Sequence, residues 1–281
     1  MRTYGLRVAS LARDITTDRI VRSTAMLLIS FCVLQPQNSW AETLPPVYRW
    51  TKNTVFDIIR TTDDSTLSCL EYVGRDERSI WDKRVNGEPV VNAFVFVARY
   101  SDGANIEIAI NPEFETQENA KAEALRFAKP LGQLPTLLRA GIRRFSVHKG
   151  NKGFHAGTGQ IIVYSGGADE RASYNHLEES LFHEAVHASL DPKHRLSDGW
   201  KRAQESDGRF LTGYGARRPD REDLAETALF AFAILHHPDR FPPADTEATM
   251  RAVPNRIEYI KGIFPPGKPL VYKVGDAQAC R

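Results

Sequence analysis

The chain has 281 residues, 42% of them hydrophobic and 26% charged, with Lys+Arg 37 against Asp+Glu 35 and a formal net charge of +2. Those proportions exclude wholesale disorder, a polytopic membrane protein and a disulfide-rich miniprotein. No Lys/Arg run accompanies the near-neutral balance, so nucleic acid is not an expected partner.

The N-terminus carries Arg2, Arg7, Arg13, Arg19 and Arg22, then ten residues dominated by Met26, Leu27, Leu28, Ile29, Phe31, Val33 and Leu34, then Ser39-Trp40-Ala41. Basic region, apolar run and small-residue exit site in that order predict a signal peptide over 1–41, cleaved after Ala41. The run is too short to span a bilayer comfortably, so no transmembrane helix is expected after cleavage. The expected location is secreted or periplasmic. Cleavage removes five Arg and two Asp, leaving a mature chain with a net charge of −1. It also leaves two cysteines, Cys69 and Cys280. In an exported protein they are candidates for a disulfide between an early strand and the C-terminal tail, with two separate thiols as the alternative.

Residues 42–50, with Pro45 and Pro46, read as an extended linker. Strands are expected at 66–73 and 90–100, where Val91, Ala93, Val95 and Val97 alternate with Phe94, Phe96 and Ala98. The turn Ser101-Asp102-Gly103-Ala104 leads to a third strand at 105–110. This strand-rich region, 42–115, is either an accessory unit or the first part of a larger sheet. From 116 to 281 a catalytic domain is expected. Helix is predicted over 117–129 and 134–140, broken by Pro130 and Pro135. Strands follow at 142–148 and 160–164 across the glycine-rich 150–159. The remainder reads as helix over 175–190, 199–204, 221–235 and 255–262. Strands first and helices later make the fold class α+β.

The chemistry concentrates in the 175–190 helix, where His183-Glu184-Ala185-Val186-His187 is an HExxH motif. Leu177, Leu181, Phe182, Ala185 and Leu190 form its inward stripe, and Asp191-Pro192 ends it. Four-residue spacing puts His183 and His187 on one face, one turn apart, where two imidazoles can grip one Zn2+. Glu184 stands beside them as the base for a metal-activated water. A third ligand must come from elsewhere. His194 does not fit the metzincin pattern, because Leu190 and Lys193 occupy the positions that need Gly and His. Glu222 and Glu226, one turn apart on the later helix, are both candidates, and spacing does not choose between them. Asp191 is either a helix-ending turn residue or a partner to the site.

The run Ser197-Asp198-Gly199-Trp200, then Phe210-Leu211-Thr212-Gly213-Tyr214-Gly215, then Glu222-Asp223-Leu224-Ala225-Glu226, together with the HExxH motif, resembles the catalytic core of the lethal-factor-type zinc metallopeptidases and the related Pro-Pro endopeptidases. The likeness covers roughly 183–232, with a Tyr-to-Glu connection one residue longer here. It implies a zincin-like fold of the gluzincin kind, with an N-terminal, mostly antiparallel sheet packed on the active-site helix and a helical C-terminal half. It implies Glu222 as third zinc ligand, Glu226 as hydrogen-bond partner of a ligating histidine, and Tyr214 as donor to the reaction's oxyanion. Such peptidases lay an extended peptide along an edge strand, for which 160–164 is the candidate, a packed hairpin arm being the alternative. The expected function is a secreted or periplasmic zinc-dependent metallopeptidase acting on peptide or protein substrates. The alternative is an exported zinc- or peptide-binding protein on that fold with little or no turnover.

Overall fold

The computed structural model describes residues 44–279, so the expected signal peptide and Cys280 lie outside the described residues. Six strands form one mixed sheet in the order β1-β2-β3-β4-β6-β5. They are β1 (Leu67–Ser79), β2 (Val90–Tyr100), β3 (Asn105–Ile110), β4 (Arg144–His148), β5 (His155–Gly157) and β6 (Gln160–Tyr164). The first three pair antiparallel, β3–β4 and β4–β6 pair parallel, and β5 returns antiparallel on β6.

Strands β2 and β3 occupy the ranges expected from their alternation. On β2 the side chains of Phe94, Phe96 and Ala98 enter the main core, while Ala93 and Val95 meet Ile80, Ala109, Ile162 and Tyr164 on the opposite face. Strand β1 runs six residues beyond its expected end. Gly74, at φ +120°, accompanies a register shift that carries the strand past the break in alternation. Its charged continuation is held by Arg78, which meets Glu107 of β3 at 3.0 Å. Cys69, on β1, is disulfide-bonded.

The helices cover the main-core face. Helix α1 (Gln117–Gln133) continues through Pro130, where a break was expected. That proline lies in the last turn, and the burial of Phe127, Ala128 and Leu131 holds the helix there. After the short α2 (Thr136–Arg139), α3 (Ser165–Ala172) leaves β6 directly, a helix the sequence pattern does not signal. Then come α4 (Leu177–Ser189), α5 (Asp191–His194), α6 (Asp198–Asp207), α7 (Gly213–Arg217), α8 (Asp223–His236), α9 (Pro243–Ala252) and α10 (Pro254–Ile263). Helices α5, α7 and α9 also lie outside the expected helical ranges. No helix among the described residues is long and apolar enough to cross a membrane.

Two of these helices are central. Helix α4 lies against α8, and their Phe182 and Phe232 rings stand 4.7 Å apart. Helix α8 is buried almost all round from Asp223 to Ala233. Each fully buried Phe or Leu contributes about 1.5–3 kcal/mol, enough to fix both axes firmly relative to the sheet. The fold is therefore the expected α+β arrangement: a six-stranded sheet, the helix carrying His183 and His187 packed on it, and a helical C-terminal half.

Candidate metal centre

Helix α4 begins with Glu178 and Glu179 in its first turn, and His176 at its N-cap makes no side-chain cap bond. Its apolar residues are held by the sheet and α8, which leaves His183, Glu184 and His187 turned toward a cleft. Glu222 reaches the same place from the N-cap position of α8, one residue before the helix proper. Its backbone N–H donates to Arg218 at 2.8 Å, and its carbonyl accepts from Glu226 at 2.9 Å. Neighbouring Asp223 is anchored by the fully buried Arg256, whose guanidinium also binds Asp207 and the Arg209 carbonyl. The start of α8 is thus held in place by an ion-pair network.

The three side chains converge. His183 Nε2 and His187 Nε2 are 3.2 Å apart, and Glu222 Oε2 lies 3.3 Å from the first and 3.1 Å from the second. A tetrahedral zinc with ligand distances near 2.0–2.1 Å needs ligand atoms about 3.3 Å from one another. The donor triangle matches that size, and imidazole nitrogen with carboxylate oxygen is a suitable donor set. Among the described residues these three form the one group able to hold a metal ion. Glu222, not Glu226, is the carboxylate that reaches both Nε2 atoms.

The far side of each ring explains why the Nε2 atoms point inward. His187 Nδ1 donates to Asp191 Oδ2 at 2.9 Å, one turn further along the chain. His183 Nδ1 faces Glu226 Oε1 at 3.5 Å. Glu226 is itself held by Thr51, whose hydroxyl donates at 3.0 Å and whose backbone N–H donates at 3.3 Å. A proton kept on Nδ1 leaves the Nε2 lone pair free for a cation. Burial alone would raise the Glu222 carboxyl, yet His183 and His187 hold it well below the usual range. Burial alone would lower His187, but Asp191 and Glu222 push it up to about 10. Burial raises Glu226.

The cleft has a volume of about 1090 Å³. Glu184 lines it half-buried, and so does Tyr214 from α7. Burial, reinforced by the adjacent Glu222 charge, pushes the Tyr214 phenol up to about 12, so it stays protonated at neutral pH. The sheet order decides between the two readings of 160–164 in favour of the packed hairpin arm. Residues 160–164 form β6, which is paired on both sides, and the edge strand is the three-residue β5. A two-residue turn, Thr158-Gly159, links them, with Gly159 at φ +73°. The glycine-rich stretch therefore conceals the strand that faces the cleft.

Four of the other six histidines are hydrogen-bonded to groups outside the triad. His148 sits on the opposite face of the sheet between Asn111 and Trp81, His176 bonds the Val55 carbonyl, His194 bonds Tyr259, and His236 bonds the Phe264 carbonyl. His155 borders the cleft from β5, its Nδ1 3.4 Å from Arg221. Sequence reasoning left Asp191 undecided, though its position four residues after His187 on a helix was an available signal. It missed Thr51, Lys83 and Arg171 in the cleft, which are far from the motif in the chain and carry no pattern of their own. No protein-family model, curated protein or solved structure matches this chain.

Proposed function

We propose that this chain is an exported zinc-dependent metallopeptidase that hydrolyses peptide bonds. The observation that carries the reading is the convergence of His183 Nε2, His187 Nε2 and Glu222 Oε2 within 3.3 Å of one another, beside Glu184, in an open cleft. His183, His187 and Glu222 would hold the ion. Bound zinc supplies Lewis-acid polarisation of the scissile carbonyl and brings the pKa of a water to about 7.

The chain's own groups do the rest. Glu184 takes a proton as the water oxygen bonds to the carbonyl carbon, and returns it to the amine nitrogen as the C–N bond breaks. Tyr214, protonated at neutral pH, donates a hydrogen bond to the oxygen of the former carbonyl. The exposed edge of β5 offers backbone groups to an extended peptide. Glu222 in reach of both Nε2 atoms, and Glu226 behind His183, are the positions that the lethal-factor-type resemblance implies. The basic–apolar–small order of 1–41 supports export.

The test is Glu184→Gln in the purified protein, with zinc measured by elemental mass spectrometry and cleavage by a peptide library. Zinc near one per chain in both proteins, with cleavage falling by about 10²–10⁴-fold in the variant, is expected. Cleavage at the wild-type rate by the variant would remove Glu184 from the mechanism. Bound zinc with no cleavage by the wild type would favour the binding-protein alternative.

A further inference from the structure

The cleft is lined by seven Lys or Arg side chains and four Glu, in a chain whose overall charge is nearly balanced. Two of the four glutamates are already committed, Glu222 to the histidines and Glu226 to Thr51 and His183. That leaves Glu184 and Glu170 to face the cations. Lys83 reaches in from the loop after β1, its Nζ donating to the carbonyls of Gly153 at 2.9 Å and Phe154 at 2.7 Å, just before edge strand β5. Arg171, on α3, stacks 4.1 Å over the Phe154 ring and donates to the Gly167 carbonyl. Arg217 and Arg218, at the end of α7, stand exposed and line the same cleft, Arg217 over the Tyr214 ring at 5.9 Å. Among the described residues, none of these four cations forms an ion pair with a carboxylate. Burial disfavours the charged forms of Lys83 and Arg171, and the Glu184 charge is the main effect opposing it.

We propose that the cleft selects peptides bearing carboxylates, so that the substrate class is acidic rather than neutral or basic. This rests on the peptidase reading of the same site. Cations from three separate segments line the cleft that β5 borders, where an extended peptide would lie, and its low-dielectric walls strengthen their field. The carboxylate belongs either to Asp or Glu side chains near the scissile bond or to the peptide's free C-terminus. Divalent metal at the His183/His187/Glu222 centre would add to the positive field.

The experiment measures binding to the zinc-loaded Glu184→Gln full chain by calorimetry. The probes are N-acetylated peptides carrying either Glu or Gln at matched positions, each with a free or an amidated C-terminus. Acidic peptides should bind about tenfold tighter at low salt, the difference shrinking as salt rises. The double variant Arg217→Gln/Arg218→Gln, and separately Lys83→Gln, should bring the ratio toward one. Tighter binding of the Glu than of the Gln peptide when both are amidated assigns the carboxylate to side chains, and tighter binding of the free than of the amidated Gln peptide assigns it to the C-terminus. Equal affinities across all four peptides, or no binding by any of them, would overturn the proposal. Wild-type cleavage is read separately. Equal cleavage of neutral peptides refutes the charge preference alone, whereas tight acidic binding without cleavage sustains the cleft assignment and refutes the peptidase reading.

Discussion

His187 turns one nitrogen toward His183 and Glu222 and the other toward Asp191. Its Nδ1 is committed to Asp191 at 2.9 Å, so the ring cannot turn without losing a charge-assisted hydrogen bond. Asp191→Asn keeps an acceptor in place and removes the charge. Zinc affinity, read by competition with a chromophoric chelator, should fall by about 10–100-fold while the fold is retained. Unchanged affinity would mean that Asp191 only ends the helix. At this scale the motif was readable because HExxH encodes its own geometry: four residues on a helix are one turn. Glu222 was only one of two choices by spacing, since both glutamates lie on the same helical face. The N-cap position of Glu222 separates them, placing its carboxylate at the Nε2 side while Glu226 falls behind His183.

The start of α8 carries Glu222, and what fixes it is buried charge. Arg256, from α10, has its side chain fully buried between Asp207 and Asp223. Arg256→Met would leave two buried carboxylates without their cation. A loss of about 3–5 kcal/mol in urea unfolding is expected, with weaker zinc binding because Asp223 adjoins Glu222. Stability within about 1 kcal/mol of wild type would show that the network is dispensable. Elements with clean periodicity, β2, β3 and α4, were legible within a residue or two. Helix α3 was not, because Gly166-Gly167 in its first turn reads as loop. Gly167 is tolerated there by close packing: a Cβ on it would stand 2.6 Å from the Lys152 carbonyl oxygen. The edge position of β5 was hidden too, since three residues are too few to show alternation, and a sheet edge is a relation between strands.

Across the whole molecule, burial of titratable groups under α4 makes stability depend on pH. Glu179 accepts from the Ile58 and Ile59 backbones at 2.7 and 2.9 Å, and burial pushes its carboxyl from 4.5 up to about 8. A raised acid stabilises fully below its unfolded value and loses that contribution as pH rises through about 8. His176 has the opposite sign. Burial lowers it from 6.5 to about 4, so its contribution is present above 6.5 and fades as pH falls through 4. The two oppose each other between 4.5 and 6.5, and above that, of the two, only Glu179 still changes its contribution. Glu179→Gln keeps the acceptor and cannot ionise, so it should remove a decline on the order of 2 kcal/mol between pH 6.5 and 8.5 in thermal or urea melts. An equally steep decline in the variant would place its origin elsewhere. The sequence by itself determined the α+β class, the helix bearing both histidines and the short set of carboxylates able to join them. These follow from local periodicity and from covalent spacing along one helix. Only the tertiary structure decided that Glu222 meets both imidazoles, that Asp191 and Glu226 back them, that β5 is the edge, and that Lys83 and Arg171 face the same cleft as Arg217 and Arg218. Those facts join residues as far apart in the chain as Lys83 and Arg218, and the packing of α4 and α8 against the sheet brings them together.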